Sequence, residues 1–276
     1  MDKYKKIYEI LEINPLLVDI VYNKIELPYP TAHQPAEPLF EFPPALIPLW
    51  SDTSMHYIAY WKHWFNQREK TIIRKFAESK YVVEISRNPA QLFYNVIVDS
   101  ISTEDDVTEE CRSFAKKLGI NDEIIKQIDE YTLEHGAFLS SLLDMDELKD
   151  TAPLSCFEDS ELYRYKLDFP HHKMVLNEEI MQNICGFECN EKLLQRIKNE
   201  KNSPLWFQST NQFANFKKLL EQDDFNGAWM CLNTSEWIIG DMKKALSQLA
   251  EKAGNKNFEA LAEAWISLDF WDDEEI

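Results

Sequence analysis

The chain has 276 residues and a formal net charge of −19, and 45% of its residues are hydrophobic, which is enough for a packed core. Only six residues are glycine, and no two are close enough for a phosphate-binding glycine loop or a nucleophile elbow. No apolar run reaches the ~18 residues of a membrane span, and the N-terminus lacks the apolar segment of a secretory signal. We therefore expect a cytoplasmic protein that does not enter a membrane.

The N-terminal segment predicts two helices followed by an extended strap. Apolar residues at helical spacing predict a first helix over residues 4–13, and Asn14-Pro15 reads as an N-cap followed by proline at the first helical position. Seven of the twelve prolines lie between Pro28 and Pro48. Proline at that density rules out a long helix there and favours extended, turn-rich backbone.

Aromatic and β-branched residues then predict strands over residues 57–61, 71–76 and 80–85. Asn88-Pro89 repeats the signal of a cap followed by proline, and Gln91 stands where a capping box needs it. From about residue 102 the apolar period is helical, with Asn121 as a helix start and Gly119 and Gly254 as helix ends. Residues 150–170 look irregular, and the acidic residues 272–275 read as a solvated, frayed end.

These patterns predict an α+β protein with two portions. Residues 1–102 would hold a small mixed or antiparallel sheet with helices, and residues 103–276 would form an acidic, mainly α-helical portion. The charge follows the same division, because residues 1–100 carry 12 acidic and 11 basic residues and the remainder carries 36 and 18. An acidic body repels nucleic acid and anionic membranes and attracts basic proteins. Solubility alone is the simpler explanation of the charge.

Five scattered cysteines in a chain without a signal peptide argue against a disulfide framework. Cys185 and Cys189 could ligate a metal, with His171-His172 upstream, but no second pair completes a zinc pattern. We expect ordinary buried cysteines, a loop at His171-His172, and neither a metal nor another cofactor.

An aromatic tract between residues 50 and 68 is the densest functional candidate. Trp, Tyr and Arg dominate interface hot spots, so the tract predicts a binding surface, while a core strand with amphipathic edges is the structural alternative. Acid–base chemistry is a second alternative, if strand pairing brings His63, Arg68 and Glu84 together. The residues predicted to bind a partner are Trp50, Trp61, His63, Trp64, Arg68 and Glu84.

The first hundred residues resemble the SUKH superfamily, typified by a yeast regulator of cell-wall synthesis and by many bacterial immunity proteins. The resemblance rests on the N-terminal helix pair, Leu46-Ile47-Pro48-Leu49-Trp50, the strands at 57–61, 71–76 and 81–85, and the closing helix after residues 84–88. It covers about a third of the chain, and the chain has no glycine before Gly119, where the family usually has some. The resemblance implies a binding scaffold, and in bacteria an antidote that binds a toxin.

The leading hypothesis is a non-enzymatic interaction protein, of bacterial immunity or regulatory type, that binds a basic protein partner such as a toxin. An enzyme with a site around His63, Arg68 and Glu84 is the first alternative. A nucleic-acid mimic that inhibits a nuclease is the second. The sequence does not specify the oligomeric state.

Overall fold

The computed structural model describes residues 3–29, 31–33, 39–52, 54–135, 176–208 and 211–276. Within them the chain folds as an antiparallel sheet near the N-terminus followed mainly by helices, so the predicted α+β class is confirmed. The irregular segment predicted over residues 150–170 and the pair His171-His172 lie outside the described residues. No described helix is both long enough and apolar enough to cross a lipid bilayer.

The sheet has five strands in the order of the sequence, each antiparallel to its neighbours. Every residue of the central strand is buried, because both faces of the sheet are covered. Pro48 cannot donate to a strand ladder, and the register of its strand shifts between Pro48 and Trp50 as a bulge would require. The strands are β1 (Thr31–His33), β2 (Leu46–Asp52), β3 (His56–Trp61), β4 (Thr71–Phe76) and β5 (Val83–Ser86).

Helices before and after the sheet begin at the predicted caps. The Asn14 side chain accepts a hydrogen bond from the backbone of Leu16 at 2.9 Å, and that of Asn88 accepts one from Gln91 at 3.0 Å. The Gln91 side chain accepts from the backbone N–H of Arg87, one residue earlier than a capping box would predict. These helices are α1 (Lys5–Ile10), α2 (Pro15–Val21) and α3 (Pro89–Glu104).

The later helices confirm the predicted helical period. Asn121 caps its helix through the backbone of Ile124 at 3.0 Å, and Gly254 ends another in the left-handed conformation, at a φ of 60°. The helices are α4 (Glu109–Lys117), α5 (Asp122–His135), α6 (Glu178–Met181), α7 (Glu191–Lys198), α8 (Leu205–Gln208), α9 (Gln212–Glu221), α10 (Phe225–Leu232), α11 (Ile239–Ala253) and α12 (Lys256–Ile266), with a 3₁₀ turn at Gly186–Glu188.

One continuous apolar core joins the sheet to the C-terminal helices. The backbone N–H of Ala45 donates to Oδ1 of Asn233 at 2.7 Å, and the indole N–H of Trp265 donates to the carbonyl of Phe42 at 3.0 Å. The boundary predicted between residues 102 and 103 falls inside α3. In the described residues the apolar core is continuous across that boundary, and the division into two portions stays a prediction.

The acidic C-terminus differs from the frayed end predicted from sequence. Residues 272–276 pair with residues 236–240, as in the bonds from Gly240 N to Asp272 O at 2.8 Å and from Ile276 N to Trp237 O at 3.0 Å. Phe270 is buried just before this segment, and Ile276 packs against the core at its end. The tail is held because an apolar anchor at each end and the backbone bonds between them offset its charge repulsion.

Candidate functional site

The aromatic tract ends in a buried polar centre. After β3 the chain continues through His63 to Arg68, and this stretch packs against the C-terminal helices: the ring of Phe65 lies 4.8 Å from that of Phe258 and 6.4 Å from that of Trp229. His63 is only 2% exposed and Glu188 likewise 2%. Their side chains meet with Nε2 of His63 at 3.1 Å from Oε2 of Glu188.

The partners of His63 define its tautomer. The indole N–H of Trp229 donates to Nδ1 at 3.1 Å, and because indole can only donate, Nδ1 carries no proton. A neutral ring then has its proton on Nε2 and donates it to Glu188. Nε1 of Trp61 also lies 3.2 Å from Nε2, but a nitrogen that donates to Glu188 cannot accept there, so we treat this contact as packing.

The charges of this centre balance. Arg68 pairs with Oε1 of Glu188 and donates a second bond to the carbonyl of Asn183 at 2.7 Å. Burial raises the pKa of a carboxyl group and is the largest single influence on Glu188, but the charge of Arg68 and the hydrogen bonds from Arg68 and His63 together outweigh it and hold the pKa of Glu188 well below its usual range. Burial lowers the pKa of His63, and Glu188 opposes that shift without reversing it. The centre therefore holds one cation, one anion and a neutral imidazole.

A tight turn positions Glu188. The backbone N–H of Cys185 donates to Oε2 of Glu188 at 2.9 Å, and that of Gly186 donates to Oγ1 of Thr234 at 2.9 Å. A Cβ atom on Gly186 would lie 2.6 Å from Cγ2 of Thr234, so only glycine fits between the turn and Thr234, which follows α10. The carbonyl of Phe187 accepts from Val82 at 2.7 Å, which ties the same turn to the sheet.

The structure brings together two of the three residues proposed for acid–base chemistry. His63 and Arg68 meet through Glu188, whereas Glu84 lies on β5, where it accepts a hydrogen bond from Thr71 at 2.6 Å. Sequence reasoning missed Glu188, although an acid between Phe187 and Cys189 in an otherwise apolar stretch is a usable signal of a buried, paired charge.

The residues predicted to bind a partner lie mostly inside the fold. Trp64 and Arg68 are half-buried, and a direct contact is open to them. Their role in partner binding stays a prediction, and for the buried residues it could only be indirect support of a contact surface. The buried members are Trp50, Trp61, His63 and Glu84.

Among the described residues, ligand atoms of His63, Cys185 and Glu188 lie within 4.8 Å of one another. A metal-bound histidine normally donates its other ring N–H to an acceptor, but here the other nitrogen faces the donor of Trp229. Burial raises the pKa of the Cys185 thiol well above its usual value, so the thiol keeps its proton. With Arg68 already paired to Glu188, this donor set fits a hydrogen-bonded core and does not fit a metal. The four cysteines in the described residues are free and buried, as expected.

A second buried charge lies on β4. Lys75 is 3% exposed and donates to the carbonyl of Phe76 at 2.7 Å and to that of Ser79. Its ammonium also lies 5.5 Å from the ring centre of Phe40 and 5.9 Å from that of Phe187. Burial lowers the pKa of Lys75 to about 8. These contacts hold the turn after β4 against the core.

Comparisons with protein-family models, with curated proteins and with solved structures give no match to this chain.

Proposed function

We propose that this is a non-enzymatic interaction protein that binds a basic protein partner through the surface of its acidic helical portion. The partition of charge supports the proposal, because residues 101–276 carry 36 acidic and 18 basic residues. Such a surface attracts a basic partner over long range and accelerates its association.

The observation that carries the proposal is an exposed tryptophan in the acidic C-terminal tail. Trp271 is 73% exposed and Ile238, on the segment that pairs with the tail, is 43% exposed. The acidic side chains beside them are exposed as well: Glu236, Asp269, Asp272, Asp273, Glu274 and Glu275. We call Trp271, Ile238 and these acids the tail patch.

The tail patch suits an arginine- or lysine-rich segment. The face of an indole ring attracts a guanidinium or ammonium group, and neighbouring carboxylates add charge-assisted hydrogen bonds. The backbone bonds that hold residues 272–276 against residues 236–240 preorganise the patch, which reduces the entropy lost on binding. Lys243 pairs with Asp272 at 2.7 Å and fixes one edge of the patch.

The finer part of the proposal is an immunity-type role, and it rests on the SUKH resemblance. Its support is the order of elements: two helices, a run of antiparallel strands, and a closing helix that begins at Asn88-Pro89. In that role the partner would be a basic toxin delivered by a neighbouring cell.

An enzyme at the buried centre is less well supported. His63 and Glu188 are each 2% exposed, and their polar atoms already have partners inside the fold, so a substrate would have to displace the core to reach them. A nucleic-acid mimic would also present an acidic surface. An exposed tryptophan, however, suits a protein–protein interface better than it suits the phosphate-binding site of a nuclease.

The test captures partners with the wild-type chain and with Trp271→Ala as parallel baits, then measures binding of the purified partner. The proposal expects a basic protein whose dissociation constant weakens at least tenfold in Trp271→Ala and rises steeply with salt. Leu133→Ala is the matched control, because Leu133 is an apolar side chain that is 74% exposed on α5.

Binding that is insensitive to salt, or that survives the loss of Trp271 unchanged, contradicts the proposal. If duplex DNA competes with this chain for the captured partner, the chain occupies the DNA-binding site of that partner. That result would favour the nucleic-acid mimic over the present proposal.

A further inference from the structure

Two lysines bound the loop that joins β3 to β4, one directly after Trp61 and one directly before Thr71. Trp61 pairs with Thr71 in the register of these strands, so the next positions outward are Lys62 and Lys70. The backbone N–H of Lys62 still donates to the carbonyl of Ala45, next to β2, at 3.0 Å, so strand pairing continues to Lys62. Side chains at directly opposite positions lie about 5 Å apart at Cβ, and like charges there destabilise a sheet.

The surroundings of this pair are cationic. Both lysines are half-buried, and Arg68, which lies between them in sequence, has a side chain that is 14% exposed. Burial lowers the pKa of Lys62, and the charges of Lys70 and Arg68 lower it further. Within the described residues no carboxylate lies within 4.0 Å of either lysine ammonium, although Glu69 stands next to Lys70 in the sequence.

Other cations of the described residues pair with acids. Lys24, Lys126 and Lys244 each pair with an acid on their own helix or next to it. Arg68 forms an ion pair with Glu188. Lys62 and Lys70 therefore keep two positive charges close together in a chain whose net charge is −19.

We propose that Lys62 and Lys70 form a binding site for a phosphate-type oxyanion. A tetrahedral dianion placed between the two ammonium groups accepts a charge-assisted hydrogen bond from each and removes their mutual repulsion. The ring of Tyr60 lies 6.0 Å from the ammonium of Lys70 and forms part of the floor of the site. The site lies on the sheet portion and is independent of the tail patch.

The experiment titrates the purified chain with inorganic phosphate by calorimetry and by thermal unfolding, at constant ionic strength set with chloride. Lys62→Met and Lys70→Met are the variants, and Lys192→Met is the matched control because Lys192 is exposed on α7. We expect saturable binding to wild type and to the control, weakened about tenfold by either variant, as for the loss of one charge-assisted bond.

The difference in unfolding temperature between Lys70→Met and wild type should change sign when phosphate is added, which makes the test specific. Without phosphate, Lys70→Met should unfold at a higher temperature than wild type, because it removes a like-charge contact. With saturating phosphate the order should reverse. Binding of phosphate that is absent, or equal in Lys62→Met, Lys70→Met and wild type, overturns the proposal. Acetate that binds as tightly as phosphate overturns the assignment to a dianion. Lys62→Gln and Lys70→Gln replace any variant that does not fold.

Discussion

The indole N–H of Trp229 donates to Nδ1 of His63 at 3.1 Å and joins two residues that are 166 positions apart. This bond leaves His63 only one way to satisfy its ring, which is to donate from Nε2 to Glu188. Arg68 then balances the charge of Glu188. The aromatic tract of the sheet and the acidic helical portion are thus joined by a polar centre as well as by an apolar core.

Replacement of Glu188 by glutamine should destabilise the fold strongly. Glu188→Gln keeps the shape of the side chain but leaves Arg68 without its buried counter-charge, and breaking one side of a buried ion pair costs about 3–5 kcal/mol. Urea unfolding measures the loss. Glu251→Gln on the exposed surface of α11 is the control and should change stability by less than about 0.5 kcal/mol. A loss for Glu188→Gln no larger than for the control would show that the pair contributes nothing.

Stability should fall in two steps as the pH is lowered. The pKa of His63 is lower in the folded chain than in the unfolded chain. Below about pH 6.5 the unfolded chain therefore binds a proton at His63 that the folded chain does not bind, and the free energy of unfolding falls. The pKa of Glu188 is also depressed, so its contribution is present above about pH 4.5 and is lost below it. Chemical unfolding gives the free energy of unfolding at each pH. Between about pH 6.5 and 5 this free energy should change less steeply with pH in His63→Gln than in wild type. Equal slopes in the two proteins would contradict a neutral, buried His63.

Local signals predicted much of the secondary structure. Asn14, Asn88 and Asn121 cap the helices that they were expected to begin, because a cap acts on the backbone two or three residues away. Strand β4 has the predicted bounds, Thr71–Phe76.

Long-range pairing could not be predicted in the same way. Glu188 reaches His63 across 125 positions, and no local pattern says which carboxylate does so. The C-terminal tail read as frayed because its own charges favour solvent, whereas its partners at residues 236–240 become neighbours only after folding. Tertiary contacts override local preference in both cases.

Alkaline pH should stabilise the wild type relative to Lys75→Met. The pKa of Lys75 is about 8 in the fold against 10.5 ordinarily, so between these values the unfolded chain binds more protons and stability rises with pH. The gain from about pH 7 to about pH 9.5 should be about 2 kcal/mol. Lys75→Met lacks this gain, while Lys80→Met, an exposed neighbour, should keep it. If the free energy of unfolding rises equally with pH in all three proteins, a group other than Lys75 causes the rise.

The fit of Gly186 against Thr234 gives a test of how Glu188 is positioned. Gly186→Ala places a Cβ at 2.6 Å from the Thr234 methyl carbon and 3.0 Å from its Cα, so the 3₁₀ turn must move away from Thr234. Overpacking of this kind costs about 1–3 kcal/mol, and the movement should also weaken the contact between Glu188 and His63. Thr234→Ser removes the methyl group but keeps the hydroxyl that accepts from Gly186 at 2.9 Å. The double variant Gly186→Ala with Thr234→Ser should therefore recover part of the stability in urea unfolding, with a favourable coupling energy. Strict additivity of the two changes would mean that the turn is not held by this contact, and that Cys185 and Val82 position Glu188 without it.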